Sequence, residues 1–128
     1  MIDLGGFTRL TEKTILTAIG EAGIATNGWT VRKEYVHDKP VLHLYLEPKG
    51  DLAVDECRLA IHRRLKDKDP GYADMEGMLG FNPLMVTLLP DGAFGRYMDA
   101  KRASGADLAH MKPPRVNPSE QALSILTK

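Results

Sequence analysis

Between residues 29 and 47 the apolar side chains leave helical spacing and alternate strictly, and no other stretch constrains the fold as much. Trp29, Val31, Lys33 and Tyr35 fall on one face of a strand, while Leu42, Leu44 and Leu46 share a face of a second. The polar segment His37-Asp38-Lys39-Pro40 separates them, so an antiparallel hairpin with a four-residue connection is expected. Each strand buries one side.

Around this hairpin the chain reads as helices and one further strand. Thr11 is placed to cap a first helix, with Glu12 in its first turn, and Ile15, Leu16, Ala18, Ile19 and Ala22 recur at helical spacing before Gly23. After Pro48, Lys49 and Gly50, a second helix starts at Asp51 or Asp55. Its stripe is Val54, Cys57, Ile61 and Leu65, with Arg58, His62 and Arg63 pointing elsewhere. Asp69-Pro70-Gly71-Tyr72 reads as a turn, and residues 73–79 as a short helix ended by Gly80. Residues 83–89 form a continuous apolar run of strand length cut by Pro90-Asp91-Gly92; being apolar on both faces, it is expected at the centre of the sheet. A third long helix carries Phe94, Tyr97, Met98 and Lys101 and closes at Gly105. The fold class is therefore α+β: a small mixed sheet of about three strands, the hairpin plus a central strand, packed by three to four helices mainly on one side.

At 128 residues the chain has the length of a single domain, 1–128, able to bury a core without crosslinks. The 17 basic and 17 acidic side chains cancel, which leaves no field to draw nucleic acid or an anionic membrane. The densest basic stretch, Arg63, Arg64, Lys66 and Lys68, is broken by Asp67 and Asp69 and reads as a solvated helix end. Cys57 is the one cysteine, which excludes an internal disulfide or a thiolate zinc cluster and fits a reducing, cytoplasmic setting. On an apolar stripe its thiol is a core side chain rather than a nucleophile. There is no apolar run of 18 residues and no signal-peptide pattern at the N-terminus.

The catalytic motifs that spacing alone would reveal are missing. Gly5-Gly6 has neither the spacing nor the preceding strand of a dinucleotide fingerprint, and no phosphate-cradling loop occurs. His37, His43, His62 and His110 stand far apart with no metal-binding spacing, and Ser104, Ser119 and Ser124 have no base beside them. The most unusual segment is the tail GADLAHMKPPRVNPS, residues 105–119, in which Lys112 is followed by Pro113, Pro114 and Arg115. Two prolines fix φ near −65° and push Lys112 out of helical geometry, so the segment is extended and stiff. It serves either as an arm that aims a cation or as a solvated connector.

A resemblance separates these two. The stretch DPGYADMEGMLGFNPLMVTLLPDGAFGRYMDAKRASGADLAHMKPPRV resembles the C-terminal part of the auxin-responsive (Gretchen Hagen) acyl acid amido synthetases, a branch of the adenylate-forming enzymes. The features that match are Pro83, Val86, Gly92 with Phe94, Met98-Asp99, Gly105-Ala106, and Lys112 two residues before Pro114-Arg115. WTVRKEYVHDKPVLHLYLEP resembles the hairpin of that family, and IDLGGFTRLTEKTI its hinge and first helix. Met111 and Pro113 stand where the plant enzymes carry tyrosine and threonine, a departure pointing to a bacterial relative with its own acid and acceptor.

The resemblance implies a mobile C-terminal lid domain of an ATP-dependent acyl-adenylating ligase, with a hinge near residues 1–8. The partner would be an N-terminal adenylating domain holding ATP and Mg2+, with none expected on this domain alone. The substrates would be a carboxylic acid and an amine or thiol acceptor. Lys112 would stabilise charge at the α-phosphate, Arg115 would contact phosphate or tie the tail to the sheet, and Asp3, Gly5 and Gly6 would form the hinge. The alternative from a different class is a non-catalytic α+β module that binds a protein or ligand.

Overall fold

The computed structural model describes residues 1–105 and 113–128. In chain order its elements are β1 (Ile2–Asp3), β2 (Arg9–Leu10), α1 (Glu12–Glu21), β3 (Thr26–Val36), β4 (Lys39–Pro48), α2 (Val54–Lys68), α3 (Pro70–Leu79), β5 (Leu84–Leu88), α4 (Ala93–Ala103) and α5 (Glu120–Leu126). This is the expected α+β class, with a mixed three-stranded sheet and a separate two-stranded hairpin.

Strands β3 and β4 pair antiparallel with Val31 opposite Leu44 and Trp29 opposite Leu46, which puts the alternating apolar set on one face. The connection is shorter than expected. Val36 pairs with Lys39, so only His37 and Asp38 turn, at φ 50° and 63°. Two successive positive φ values are those of a primed hairpin turn, whose twist matches the strands, and His and Asp tolerate them better than most residues. Lys39 and Pro40 therefore belong to β4.

The expectation of a central β5 is corrected: the order is β3-β4-β5, with β5 parallel to β4 at the edge. Its apolar character on both sides has another cause. Leu84, Val86 and Leu88 face the main core, while Leu89 joins a second cluster beyond the strand and Met85 stays 37% exposed. An edge position shields only part of the strand.

The main core lies between one sheet face and α1, α2 and α3. It joins Trp29, Val31, Leu42, Leu44, Leu46 and Leu84 to Ile15, Ile19, Cys57, Ile61, Leu65, Tyr72 and Met75. Cys57 is buried as expected, and burial pushes its thiol pKa up. His62 does not point away; it is buried, with Nδ1 2.6 Å from the Tyr72 hydroxyl and Nε2 3.2 Å from Glu76. The Asp-Pro-Gly turn belongs to α3 itself: Asp69 caps it by accepting from the Tyr72 N–H at 2.8 Å, with Pro70 in the first turn. A second cluster covers the opposite face, where Tyr45 and Leu89 meet Ala93 and Tyr97 of α4 and Ala122, Leu123 and Leu126 of α5. Helices thus lie on both sides. The short α5 was not expected, although Ser119 caps it through the Ala122 N–H at 3.0 Å in a recognisable pattern.

The N-terminal segment is a hairpin too. Leu4 accepts from the Phe7 N–H at 3.1 Å around Gly5 and Gly6, both at positive φ (64° and 85°), and Ile2, Leu4 and Leu10 are buried in the main core. A Cβ on Gly5 would meet Pro40 Cγ at 2.8 Å, whereas one on Gly6 would meet nothing within 4 Å. Gly5→Ala is expected to cost about 2 kcal/mol, from left-handed backbone strain and the contact with Pro40, and Gly6→Ala about 1 kcal/mol from strain alone. Urea denaturation midpoints of the two variants check this; equal shifts would remove the role assigned to Pro40.

Candidate functional site

Lys112 lies outside the described residues, but the arm that follows it is defined from Pro113 onward. Thr30 Oγ1 donates to the Pro114 carbonyl at 2.7 Å, the Val31 N–H donates to the Arg115 carbonyl at 2.8 Å, and the Asn117 N–H donates to the Val31 carbonyl at 2.9 Å. Val116 thereby pairs with Val31 in a parallel bridge, laying the tail along the outer edge of β3. Asn117 then turns the chain at φ 57° toward α5. Proline stiffness and these bonds act together, since an extended segment without its own N–H donors can still be held by its carbonyls.

The Arg115 side chain is used locally. Its guanidinium carbon lies 5.2 Å above the Trp29 ring and Nη1 stands 3.6 Å from Glu12 Oε2 at the start of α1. Cation–π contact and ion pairing both tie the tail to the sheet. Beside it a cleft of about 240 Å3 opens between Gly28, Trp29, Phe94, Met98, Pro113 and Arg115. Gly28 is needed there, because a Cβ would sit 2.8 Å from the Phe94 ring.

Phe94 is placed by a residue that sequence reasoning passed over. Glu47, at the end of β4 and 3% exposed, accepts from the Gly92 N–H at 3.0 Å, the Phe94 N–H at 2.9 Å and Asn27 Nδ2 at 3.0 Å. Burial pushes its carboxyl pKa up, but the Phe94, Asn27 and Gly92 donors and the Arg96 charge outweigh that and hold it below the usual range. The available signal was Gly92 itself: a helix whose cap residue has no side chain must find its acceptor elsewhere.

The same sheet face carries a polar network. Glu34 accepts from Tyr45 Oη at 2.5 Å and Arg32 Nε at 2.8 Å, and its other oxygen is 2.8 Å from His43 Nδ1. His43 Nε2 is 2.7 Å from Thr87 Oγ1 and Arg32 also pairs with Glu120, so the network joins β3, β4, β5 and α5. With Nδ1–H donated to Glu34, Nε2 accepts from the threonine; this tautomer satisfies every partner. Against the upward push of burial, the three donors hold the Glu34 carboxyl at about 2, while burial and Glu34 push the Tyr45 phenol to about 12.

Of the residues singled out from sequence, Asp3, Gly5 and Gly6 meet in the N-terminal turn, where Asp3 accepts from the Gly6 N–H at 3.4 Å and pairs with Arg9 at 3.4 Å. Arg115 belongs to the tail anchor on β3. Among the described residues no group of three His, Cys, Asp or Glu side chains stands close enough to hold a metal ion. No helix there is long and apolar enough to cross a membrane.

A small α+β domain whose C-terminal tail is pinned to the hairpin edge, with a cleft beside the pin, is the class these features define. The family model of the GH3 family C-terminal domain matches residues 12–121, and the chain belongs to that family. Among solved structures, a GH3.15 acyl acid amido synthetase is similar at 21% identity and TM-score 0.72, covering 98% of this chain and 25% of that one. A second, AtGH3.15 acyl acid amido synthetase in complex with 2,4-DB, is similar at 19% identity and TM-score 0.71, with 98% and 25% covered. The chain thus spans a quarter of the length of those synthetases and shares their fold over that quarter. No curated protein gives a significant match.

Proposed function

We propose that this chain acts as the mobile C-terminal domain of an ATP-dependent acyl-adenylating ligase resembling the acyl acid amido synthetases. Its partner is an N-terminal adenylating domain, and the setting is cytoplasmic. In the first half-reaction a carboxylate oxygen attacks the α-phosphorus of ATP and pyrophosphate leaves, which builds charge on the non-bridging oxygens. The Lys112 ammonium, aimed by the arm as the domain closes, offsets that charge. In the second half-reaction an amine or thiol attacks the acyl carbon and AMP leaves.

The observation that supports this reading is the pinning of residues 114–117 to β3, beginning two positions after Lys112 in the sequence. A cation emerging from a fixed point loses less entropy when it is positioned. Mg2+ would supply charge neutralisation on the phosphates when bound, with its ligands proposed on the partner domain. The proposed pivot lies ahead of Ile2, because the arms on either side of the Gly5-Gly6 turn pair with each other and are buried in the main core, so Asp3, Gly5 and Gly6 move with the domain.

The test is ATP–pyrophosphate exchange by the longer polypeptide across a panel of carboxylic acids, with and without these 128 residues. Exchange is expected only when they are present, and the chain by itself is expected to show none. Exchange that survives their removal unchanged would sink the proposal.

A further inference from the structure

The C-terminal tail is held on the outer edge of β3 in two different ways. From Arg115 onward the hold is backbone to backbone, with the Val31 N–H donating to the Arg115 carbonyl at 2.8 Å and the Asn117 N–H to the Val31 carbonyl at 2.9 Å. Ahead of Arg115 the arm has no backbone donor to offer, because Pro113 and Pro114 carry no N–H. There a side chain takes over. Thr30 Oγ1 donates to the Pro114 carbonyl at 2.7 Å, and among the described residues this is the one hydrogen bond made to either proline.

Thr30 is fully buried, on β3 opposite Tyr45 of β4. A hydroxyl is costly to bury without a partner, and valine fills the same space in a strand with no such demand. The backbone bonds of Val31 already attach the tail to the sheet, so the fold itself does not call for a hydroxyl at position 30. What the hydroxyl adds is a hold on the arm two residues from Lys112. The link between them is Pro113 and Pro114, each with φ fixed, and Pro113 is itself buried on the wall of the cleft shared with Trp29, Phe94 and Met98. A stiff link passes a displacement of its anchor along the chain instead of absorbing it.

We infer that Thr30 is a positioning residue for adenylate formation, acting through Lys112 by holding the Pro114 carbonyl at which the stiff link begins. The inference rests on the role proposed above for Lys112. Thr30 touches no substrate in this scheme; it narrows the range of positions open to the arm, and so raises the fraction of time in which the ammonium meets the α-phosphate in reactive geometry. The effect belongs to the first half-reaction alone, since attack on the acyl carbon does not use Lys112.

The test is single-turnover adenylate formation and consumption in the longer enzyme carrying Thr30→Val, Thr30→Ser, Lys112→Ala, or Thr30→Val together with Lys112→Ala, with urea midpoints reporting stability. Thr30→Val is expected to slow formation about tenfold with the KM for ATP unchanged, as loss of one positioning hydrogen bond allows. Thr30→Ser, which keeps the hydroxyl, should form adenylate at the wild-type rate, and both variants should consume supplied acyl-adenylate normally. In the Lys112→Ala background Thr30→Val should add nothing, because the group it positions is gone. Equal slowing of formation and consumption, a further loss in the Lys112→Ala background, no recovery with serine, or a collapsed urea midpoint for Thr30→Val would make Thr30 a structural residue and overturn the inference. If Lys112→Ala slows formation and Thr30→Val does not, this inference falls and the role of Lys112 stands; if Lys112→Ala forms adenylate normally, both fall.

Discussion

Lys112→Ala in the longer enzyme is expected to slow acyl-adenylate formation about 10²–10³-fold, the usual cost of losing one aimed transition-state donor. Apparent ATP affinity should change far less, because an interaction made mainly in the transition state lowers kcat rather than raising KM. Stability should hold, since the arm is secured by the Pro114 and Arg115 carbonyls and the Asn117 N–H, none of which involves the lysine side chain. Consumption of a supplied acyl-adenylate should survive if domain rotation carries Lys112 away before the second step. Single-turnover measurements of adenylate formation and consumption, made side by side, check all of this. Near-normal formation in the variant would leave the Lys-Pro-Pro-Arg segment as a connector and remove the catalytic role from this domain.

The hairpin was legible because alternation with period two is a property of the strand itself: Trp29, Val31, Leu42, Leu44 and Leu46 all reach the core they were expected to reach. The same holds for α1, where Thr11 caps through the Thr14 N–H at 3.1 Å. Sheet order was less legible. An apolar run such as 83–89 signals burial, and here burial comes from α2 on one face and the second cluster beside Leu89, not from flanking strands on both sides. Local turn chemistry hid two elements: Gly5-Gly6 reads as slack when isolated, yet two positive φ values are what a primed turn requires, and Asp69-Pro70-Gly71 reads as a loop although Asp-Pro also begins helices. His62 was misplaced for a related reason, since a polar residue on an apolar stripe finds its partner, Tyr72, only in three dimensions.

The candidate site divides in the same way. The tail announced itself through composition, because consecutive prolines after a lysine leave few conformations, and the structure shows where that stiffness is attached. Glu47 could not be found from spacing. It matters through groups distant in sequence, the Gly92 and Phe94 amides.

Glu47→Ala is expected to destabilise the chain by about 3 kcal/mol, because it strips two backbone N–H groups and the Asn27 amide of a charged acceptor and removes the anion from the start of α4. Glu47→Gln is the more discriminating variant: it keeps the size and one acceptor oxygen but sets an NH2 against an N–H, so it should lose about half as much. The pH dependence follows from the sign of the pKa shift. A carboxyl held below its unfolded value of 4.5 contributes stability that is fully present above that pH and is lost as pH falls through the folded value. Glu34, at about 2, titrates in the same direction, so wild type should lose stability progressively from about pH 4.5 toward pH 2. Glu47→Gln should reduce that decline and leave the part due to Glu34. Urea denaturation at a series of pH values measures both, and a variant whose curve parallels wild type throughout would show that Glu47 is not the titrating anchor of α4. Because the same carboxylate positions Phe94 against Gly28, its loss should also loosen the cleft beside Pro113 and Arg115, read as broadened Phe94 and Met98 side-chain resonances at neutral pH. Sharp, unshifted resonances there would confine the role of Glu47 to the helix start and separate it from the anchoring of the arm.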